Sequence, residues 1–210
     1  MIKRWEEYYA KTIIEGLFPE RYENLFVRDK PDLFDEKNRR GIEVTSCIPS
    51  KEREVESLWY KTFCYGEQAD QTKSIERMKQ LGVDYSGGCQ FFGEKTYLSQ
   101  LDENRDNVRC FLDIATDKIR KLNGGGYYEF DEYDLVVLSK MPVLEEWKGG
   151  LLSYLLKANV ATKKYHYIHL VTNFNIVVSF DLFAKKVSEK NFSEMQCIFA
   201  EKAKRMVKNI

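Results

Sequence analysis

Two acidic residues, Asp32 and Glu43, stand eleven positions apart in the stretch KPDLFDEKNRRGIEVTSC. Asp32 begins one apolar segment, Glu43 lies inside another, and the polar run KNRRG separates them. This pattern predicts a β-hairpin whose two arms bring the carboxylates together. Two facing carboxylates that leave positions open for water and phosphate suit Mg²⁺ or Mn²⁺. We therefore interpret the hairpin as a candidate metal site.

Glu43 is an acid between two apolar residues, Ile42 and Val44. Because side chains alternate along a strand, Glu43 and Thr45 are expected on one face and Ile42 and Val44 on the other. A buried carboxylate without a partner is costly, so a cation or another donor is expected beside it. A bound divalent cation polarises a phosphoryl oxygen and activates water, which makes phosphodiester hydrolysis the predicted reaction. The alternatives are an exposed, solvated Glu43 and an Asp32 that only supports a turn.

The composition of the 210-residue chain predicts a folded, cytoplasmic protein without a membrane span. Lysine plus arginine and aspartate plus glutamate both number 33, so any attraction to DNA or RNA must come from a local patch. The five cysteines are scattered without CxxC spacing, which is typical of free thiols in a reducing compartment. His166 and His169 stand three apart in one predicted strand, so we expect them on opposite faces and in structural roles.

Hydrophobic periodicity gives the order of elements around the hairpin. Helices are predicted at residues 2–17, 50–66, 71–81, 104–122, 143–158 and 193–208, and strands at 134–139, 165–172 and 176–180. This order predicts an α/β fold of three layers, with a central mixed β-sheet flanked by helices. We expect a single domain over 1–210, with a core formed by about 1–47 and 104–180, an insertion at about 48–103 and a C-terminal helix.

The hairpin residues carry a resemblance to a known family. Pro31-Asp32, a turn and then Gly41-Ile42-Glu43-Val44-Thr45 resemble the PD…(D/E)xK motif of the restriction-endonuclease-like nuclease superfamily. The resemblance implies that Asp32 and Glu43 are the motif acids, which bind Mg²⁺ (or Mn²⁺) for the cleavage of DNA or RNA. It also implies that an acid of the first helix completes the metal site, for which the chain offers Glu6, Glu7 and Glu15.

The chain departs from the motif at Thr45, where the family usually has a lysine. A threonine hydroxyl forms hydrogen bonds but supplies no positive charge. Lys118 and Lys121, on the helix before the strand at 134–139, are the candidates to supply that charge. An inactive relative that binds nucleic acid or a protein partner is the alternative function. An oligomer that uses exposed aromatics such as Tyr127 and Tyr128 is a third possibility, and a homodimer stays open.

Overall fold

The structure of the protein is a computed structural model. It describes residues 2–47, 54, 55, 58, 71–81, 83–85, 97–99, 105–126, 128–139, 143, 145–172 and 175–208. The chain divides into two compact units, one formed by 1–47 with 108–210 and the other by 48–107. The predicted helix at 50–66 lies mostly outside the described residues, as does Tyr127.

The first unit is built on a mixed sheet that has seven strands among the described residues. The strands are β1 (Phe26–Val27), β2 (Leu33–Asp35), β3 (Arg40–Cys47), β6 (Glu132–Ser139), β7 (Tyr165–Val171), β8 (Ile176–Asp181) and β9 (Lys186–Asn191), and they lie side by side in this order. The central strands β3, β6 and β7 are parallel, and the remaining pairs are antiparallel. In the second unit, β4 (Val83–Tyr85) and β5 (Tyr97–Ser99) form an antiparallel pair.

Helices cover both faces of the seven-stranded sheet. They are α1 (Ile2–Leu17), α3 (Arg105–Asn123), α4 (Glu145–Ala158) and α5 (Gln196–Lys208), while α2 (Gln71–Gln80) belongs to the second unit. The apolar stripes of α1 and α5 pack with Ile42 and Val44 of β3. The stripes of α3 and α4 pack with Leu135 and Val137 of β6 on the other face. The predicted three-layer α/β fold with a mixed sheet is therefore confirmed.

The strand β9 has no counterpart among the elements predicted from the sequence. Its residues, KVSEKN, are mostly polar and exposed, so they show neither an apolar run nor a regular alternation. The strand is held by backbone pairing to β8 at the edge of the sheet. Cys47, Cys110 and Cys197 are free thiols. Among the described residues, no helix combines the length and the apolar character that a membrane crossing requires.

The hairpin of β2 and β3 has the register that brings its two acids together. Leu33 pairs with Ile42 and Phe34 with Gly41, so one further step places Asp32 opposite Glu43. The turn is held by Asp35, whose carboxylate accepts a 3.0 Å bond from the Asn38 backbone N–H. Arg40 and Gly41 already belong to β3 and not to the turn that the sequence suggested.

Gly41 has a packing role beside Asp32. A Cβ at this position would lie 2.9 Å from a ring carbon of Phe130 and 3.1 Å from Cγ of Pro31. Both distances are shorter than ordinary carbon contacts, so the ring of Phe130 and the Pro31–Asp32 segment approach β3 closely only because Gly41 has no side chain.

We expect Gly41→Ala to lower the free energy of unfolding by about 1–3 kcal/mol, because Phe130 or Pro31 must shift. The matched control is Gly150→Ala in α4, where nothing lies within 4 Å of the added Cβ. That control is expected to gain about 1 kcal/mol from helix propensity. Urea denaturation of the two variants checks the opposite signs, and an unchanged Gly41→Ala would contradict the packing role.

Candidate functional site

The site forms where the start of β2 lies beside the middle of β3. Asp32 accepts a 2.8 Å hydrogen bond at Oδ2 from the backbone N–H of Val44. Glu43 projects from β3 toward α3 and is only 5% exposed. The strand geometry therefore fixes both carboxylates, one through a backbone contact and the other through burial.

Lys118 of α3 completes the charge pattern of the site. Its Nζ lies 2.8 Å from Oε2 of Glu43, and the two side chains are 20% and 6% exposed. A charge-assisted hydrogen bond of this length compensates the buried carboxylate, which would otherwise be strongly disfavoured. A positive group thus lies beside the second acid even though position 45 is a threonine.

Of the two candidate lysines, the structure brings only Lys118 to Glu43. Lys121 is 59% exposed and its Nζ lies 2.6 Å from Oδ2 of Asp117, one turn back on the same helix. Thr45 is half-buried on the same strand as Glu43 and makes no side-chain hydrogen bond within the described part of the chain. Its hydroxyl is therefore available to a ligand.

The acids of α1 do not lie on the sheet face that carries Glu43. α1 packs on the sheet face of Ile42 and Val44, whereas Glu43 points to the face of α3. Glu15 accepts a 2.8 Å bond from the backbone N–H of Leu25 and is paired with Lys11. Glu6 and Glu7 lie in the N-terminal half of the helix and have interactions of their own.

Within the described residues, no group of three or more histidine, cysteine, aspartate or glutamate side chains could hold a metal ion. The structure therefore joins neither Glu6, Glu7 nor Glu15 to the two hairpin acids in such a group. The donor set that remains is two carboxylates. Mg²⁺ is commonly held by one or two carboxylates together with waters and substrate phosphates, so Asp32 and Glu43 fit such an ion.

The surroundings of Asp32 change its pKa. Burial, with the nearby Glu43 carboxylate as the second cause, raises the pKa of Asp32 to about 6, while the Val44 N–H and Lys118 oppose the rise. When both acids are ionised, the Lys118 ammonium beside Glu43 leaves the negative charge of Asp32 without an ion-pair partner of its own among the described residues. A cation bound between the carboxylates would remove this imbalance.

A second polar cluster, which the sequence analysis missed, lies on the other face of the sheet. Asp134 is fully buried and accepts a 2.7 Å bond from the hydroxyl of Tyr22 and bonds from Arg21. His169 contacts the same hydroxyl through Nε2 at 2.7 Å and Ser179 through Nδ1 at 2.8 Å. The signal that could have revealed it is the acid that opens the apolar run DLVVLS.

This second cluster is closed. Because Tyr22 has one hydroxyl proton and donates it to Asp134, His169 donates from Nε2 and accepts from Ser179. Burial lowers the pKa of His169 to about 3, so the ring is neutral. Each of these groups is paired, which makes the cluster a structural anchor between the segment after α1 and the sheet and fits the structural role expected of His169.

We expect Tyr22→Phe to lower the free energy of unfolding by about 1–3 kcal/mol, because His169 and Asp134 each lose a buried partner. Tyr128→Phe is the control, since the Tyr128 ring is 64% exposed. Thermal unfolding of both variants checks the difference. Equal stability of Tyr22→Phe and the wild type would contradict the anchoring role.

The stability of the protein is expected to depend on pH through the carboxyl of Asp32. The folded chain binds the Asp32 proton more tightly than the unfolded chain, so stability falls as pH rises through about 4 to 6. An asparagine side chain in its place would keep an acceptor for the Val44 N–H and lose the charge. We therefore expect Asp32→Asn to be more stable than the wild type by about 1–2 kcal/mol near pH 8, after allowance for the partial exposure of the side chain.

This advantage is expected to vanish near about pH 4, where the wild-type carboxyl is protonated. Urea denaturation without metal across this range measures it. Asp113→Asn, at an exposed position on α3, controls for the loss of one negative charge. A constant difference between Asp32→Asn and the wild type at all pH values would contradict the raised pKa.

The geometry of the site allows a limited set of chemical roles. Two carboxylates on facing positions of the hairpin, an ammonium group and a hydroxyl can hold a divalent cation and an anionic ligand, whereas these groups do not include the nucleophile and base of a serine or cysteine hydrolase. No protein-family model, no curated protein and no solved structure matches this chain.

Proposed function

We propose that this protein hydrolyses phosphodiester bonds of nucleic acid with the help of a Mg²⁺ or Mn²⁺ ion held by Asp32 and Glu43. The observation that carries the proposal is the hairpin register, which places Asp32 opposite Glu43, together with Lys118 at 2.8 Å from Glu43. A bound cation of this kind supplies Lewis-acid polarisation of a phosphoryl oxygen and lowers the pKa of bound water.

The side chains of the site have separate roles in this proposal. The Val44 N–H and the strand hold Asp32 and Glu43 in place before any ligand binds. Lys118 contributes a positive charge where negative charge develops on the phosphate, a role that the nuclease motif gives to the residue at position 45. The Thr45 hydroxyl is available to donate a hydrogen bond to a phosphate oxygen or a water.

The arrangement of elements adds support. When the second unit is left out, the chain order is a helix, three antiparallel strands, a later helix and a strand parallel to the third, namely α1, β1 to β3, α3 and β6. This is the core that the resemblance to the restriction-endonuclease-like superfamily implies, namely helix, three strands, helix and strand. Membership of that superfamily is part of the proposal.

One observation favours the alternative of an inactive relative that binds nucleic acid or a protein. The Lys118 ammonium already neutralises Glu43, and within the described residues no third acid, histidine or cysteine joins the two carboxylates. Calorimetric titration with Mn²⁺ separates the two functions. Binding that is lost in Asp32→Asn supports the hydrolase, and no binding to the wild type supports the inactive relative.

The proposal predicts metal-dependent cleavage of DNA or RNA. We expect Glu43→Gln to lower the cleavage rate by at least about 100-fold, because the amide is a poor ligand for Mg²⁺ and lacks the charge. Cleavage of labelled single-stranded and duplex substrates with Mg²⁺, Mn²⁺ or EDTA measures this, with circular dichroism to verify folding. A folded Glu43→Gln variant that cleaves at the wild-type rate would overturn the proposal.

The two lysines of α3 give a matched comparison. Lys118→Met removes the ammonium beside Glu43, so we expect a loss of about 100-fold or more in cleavage rate. Lys121→Met removes an exposed ammonium of the same helix that pairs with Asp117, and its rate should stay near the wild type. Lys118→Arg keeps the charge and is expected to recover part of the rate. Equal rates in Lys118→Met and Lys121→Met would exclude a role for Lys118.

A further inference from the structure

A group of aromatic rings lies beside the two acids on the same sheet face. We call Phe26, Phe34, Phe130 and Tyr128, with Arg28, the aromatic shelf. The ring centroids of Phe26 and Phe34 are 5.4 Å apart, and those of Phe34 and Phe130 are 6.5 Å apart. The Arg28 guanidinium lies 5.1 Å from the Phe34 ring centroid and 5.7 Å from that of Tyr128.

The outer rings of the shelf are unusually exposed for large side chains. Phe26 is 52% exposed and Tyr128 is 64% exposed, at the β1 edge of the sheet. A contiguous aromatic surface in water is unfavourable unless another molecule covers it, so such surfaces commonly mark binding sites. The exposed rings of the shelf therefore favour a ligand with planar rings that can stack on them.

Charge favours an anionic ligand at the same place. Arg28 is exposed and contacts the two rings, and within the described part of the chain it has no carboxylate partner. The nearby Arg39 is already paired with Asp131 at 3.1 Å. Because the whole chain has no net charge, attraction to an anion must come from such a local cation. Arg28 is thus available to meet a phosphate.

The register places the shelf next to the acids. Phe34 lies in β2, two residues after Asp32, which directly precedes the strand, so in extended backbone the two positions are about 7 Å apart. Its partner Gly41 precedes Glu43 by two residues on β3 in the same way. A base that stacks on the shelf would therefore bring its own backbone toward Asp32 and Glu43.

We propose that the aromatic shelf binds unpaired bases of a single-stranded nucleic acid, with Arg28 on its phosphate backbone. The inference deepens the proposed function, on which it rests, by naming a single-stranded segment as the substrate class. Base–aromatic stacking needs an open base face, which a duplex covers with its neighbouring base pairs. Stacking is tolerant of sequence, so the shelf selects strandedness and not a particular sequence.

Fluorescence anisotropy of a labelled single strand of about twelve nucleotides, with EDTA present to prevent cleavage, tests the shelf directly. Removing one stacking ring, in Phe26→Ala or Tyr128→Ala, is expected to weaken binding about 5- to 50-fold. Phe183→Ala is the matched control, because Phe183 is 62% exposed on the turn between β8 and β9, away from the shelf. Its affinity should equal that of the wild type. DNA and RNA strands are measured separately to identify the preferred backbone.

The same titration with a duplex of equal sequence completes the test. We expect the duplex to bind more weakly than the single strand and to be insensitive to Phe26→Ala. Single-strand affinities that are equal in the shelf variants, the Phe183→Ala control and the wild type would overturn the inference, even if metal-dependent cleavage is found. Shelf-dependent binding without cleavage by the wild type would support the shelf and reject the hydrolase.

Discussion

The fold of the first unit is constrained by one buried carboxylate at the centre of its sheet. Glu43 lies in a strand with neighbours on both sides, where an uncompensated charge would be prohibitive. The ammonium of Lys118 at 2.8 Å supplies the compensation and couples α3 to β3. Apolar side chains of similar size commonly stabilise such an interface at least as well as a buried ion pair. The ion pair between Glu43 and Lys118 is therefore not explained by its contribution to the free energy of unfolding. What it provides is a fixed position for two opposite charges beside Asp32.

The hairpin site and the Asp134 cluster lie on opposite faces of the sheet and differ in how well their carboxylates are compensated. Ile42 pairs with Asp134 and Glu43 with Leu135, so alternation sends the two acids to opposite faces. The Asp134 cluster is closed, since Tyr22, Arg21 and a backbone N–H satisfy the carboxylate away from water. At the hairpin site, by contrast, burial and then the nearby Glu43 carboxylate raise the pKa of Asp32 to about 6, so the ionised form of Asp32 is not fully compensated. A carboxyl with a raised pKa beside a second acid and a lysine is a feature that functional sites share.

The sequence was sufficient for the layers and for the meeting of Asp32 and Glu43, because turn residues and alternation determine both. It could not choose between Lys118 and Lys121, which stand one turn apart, because the choice depends on how α3 packs on the sheet, with Lys118 beside Glu43 and Lys121 paired with Asp117 at the surface. It also could not say which sheet face α1 covers, which decides how near its acids come to the hairpin. The Asp134 cluster could not be predicted from the sequence, because its partners come from the segment after α1 and from β7 and β8, far apart in the chain. The strand β9 could not be predicted either, because a strand held by backbone pairing at the edge of a sheet needs no apolar pattern.

Charge balance connects the hairpin site with the ligand proposed for it. The carboxylates of Asp32 and Glu43 against the ammonium of Lys118 leave one negative charge in a partly buried place. The free protein relieves this charge by holding a proton on Asp32 at a higher pH than usual. A divalent cation in place of that proton would turn the balance into one positive charge, which matches the single negative charge of a phosphodiester. Lys118 on α3 supplies the positive charge that the motif lysine would supply at position 45. The charge balance is therefore the same, because it does not depend on which element carries the lysine.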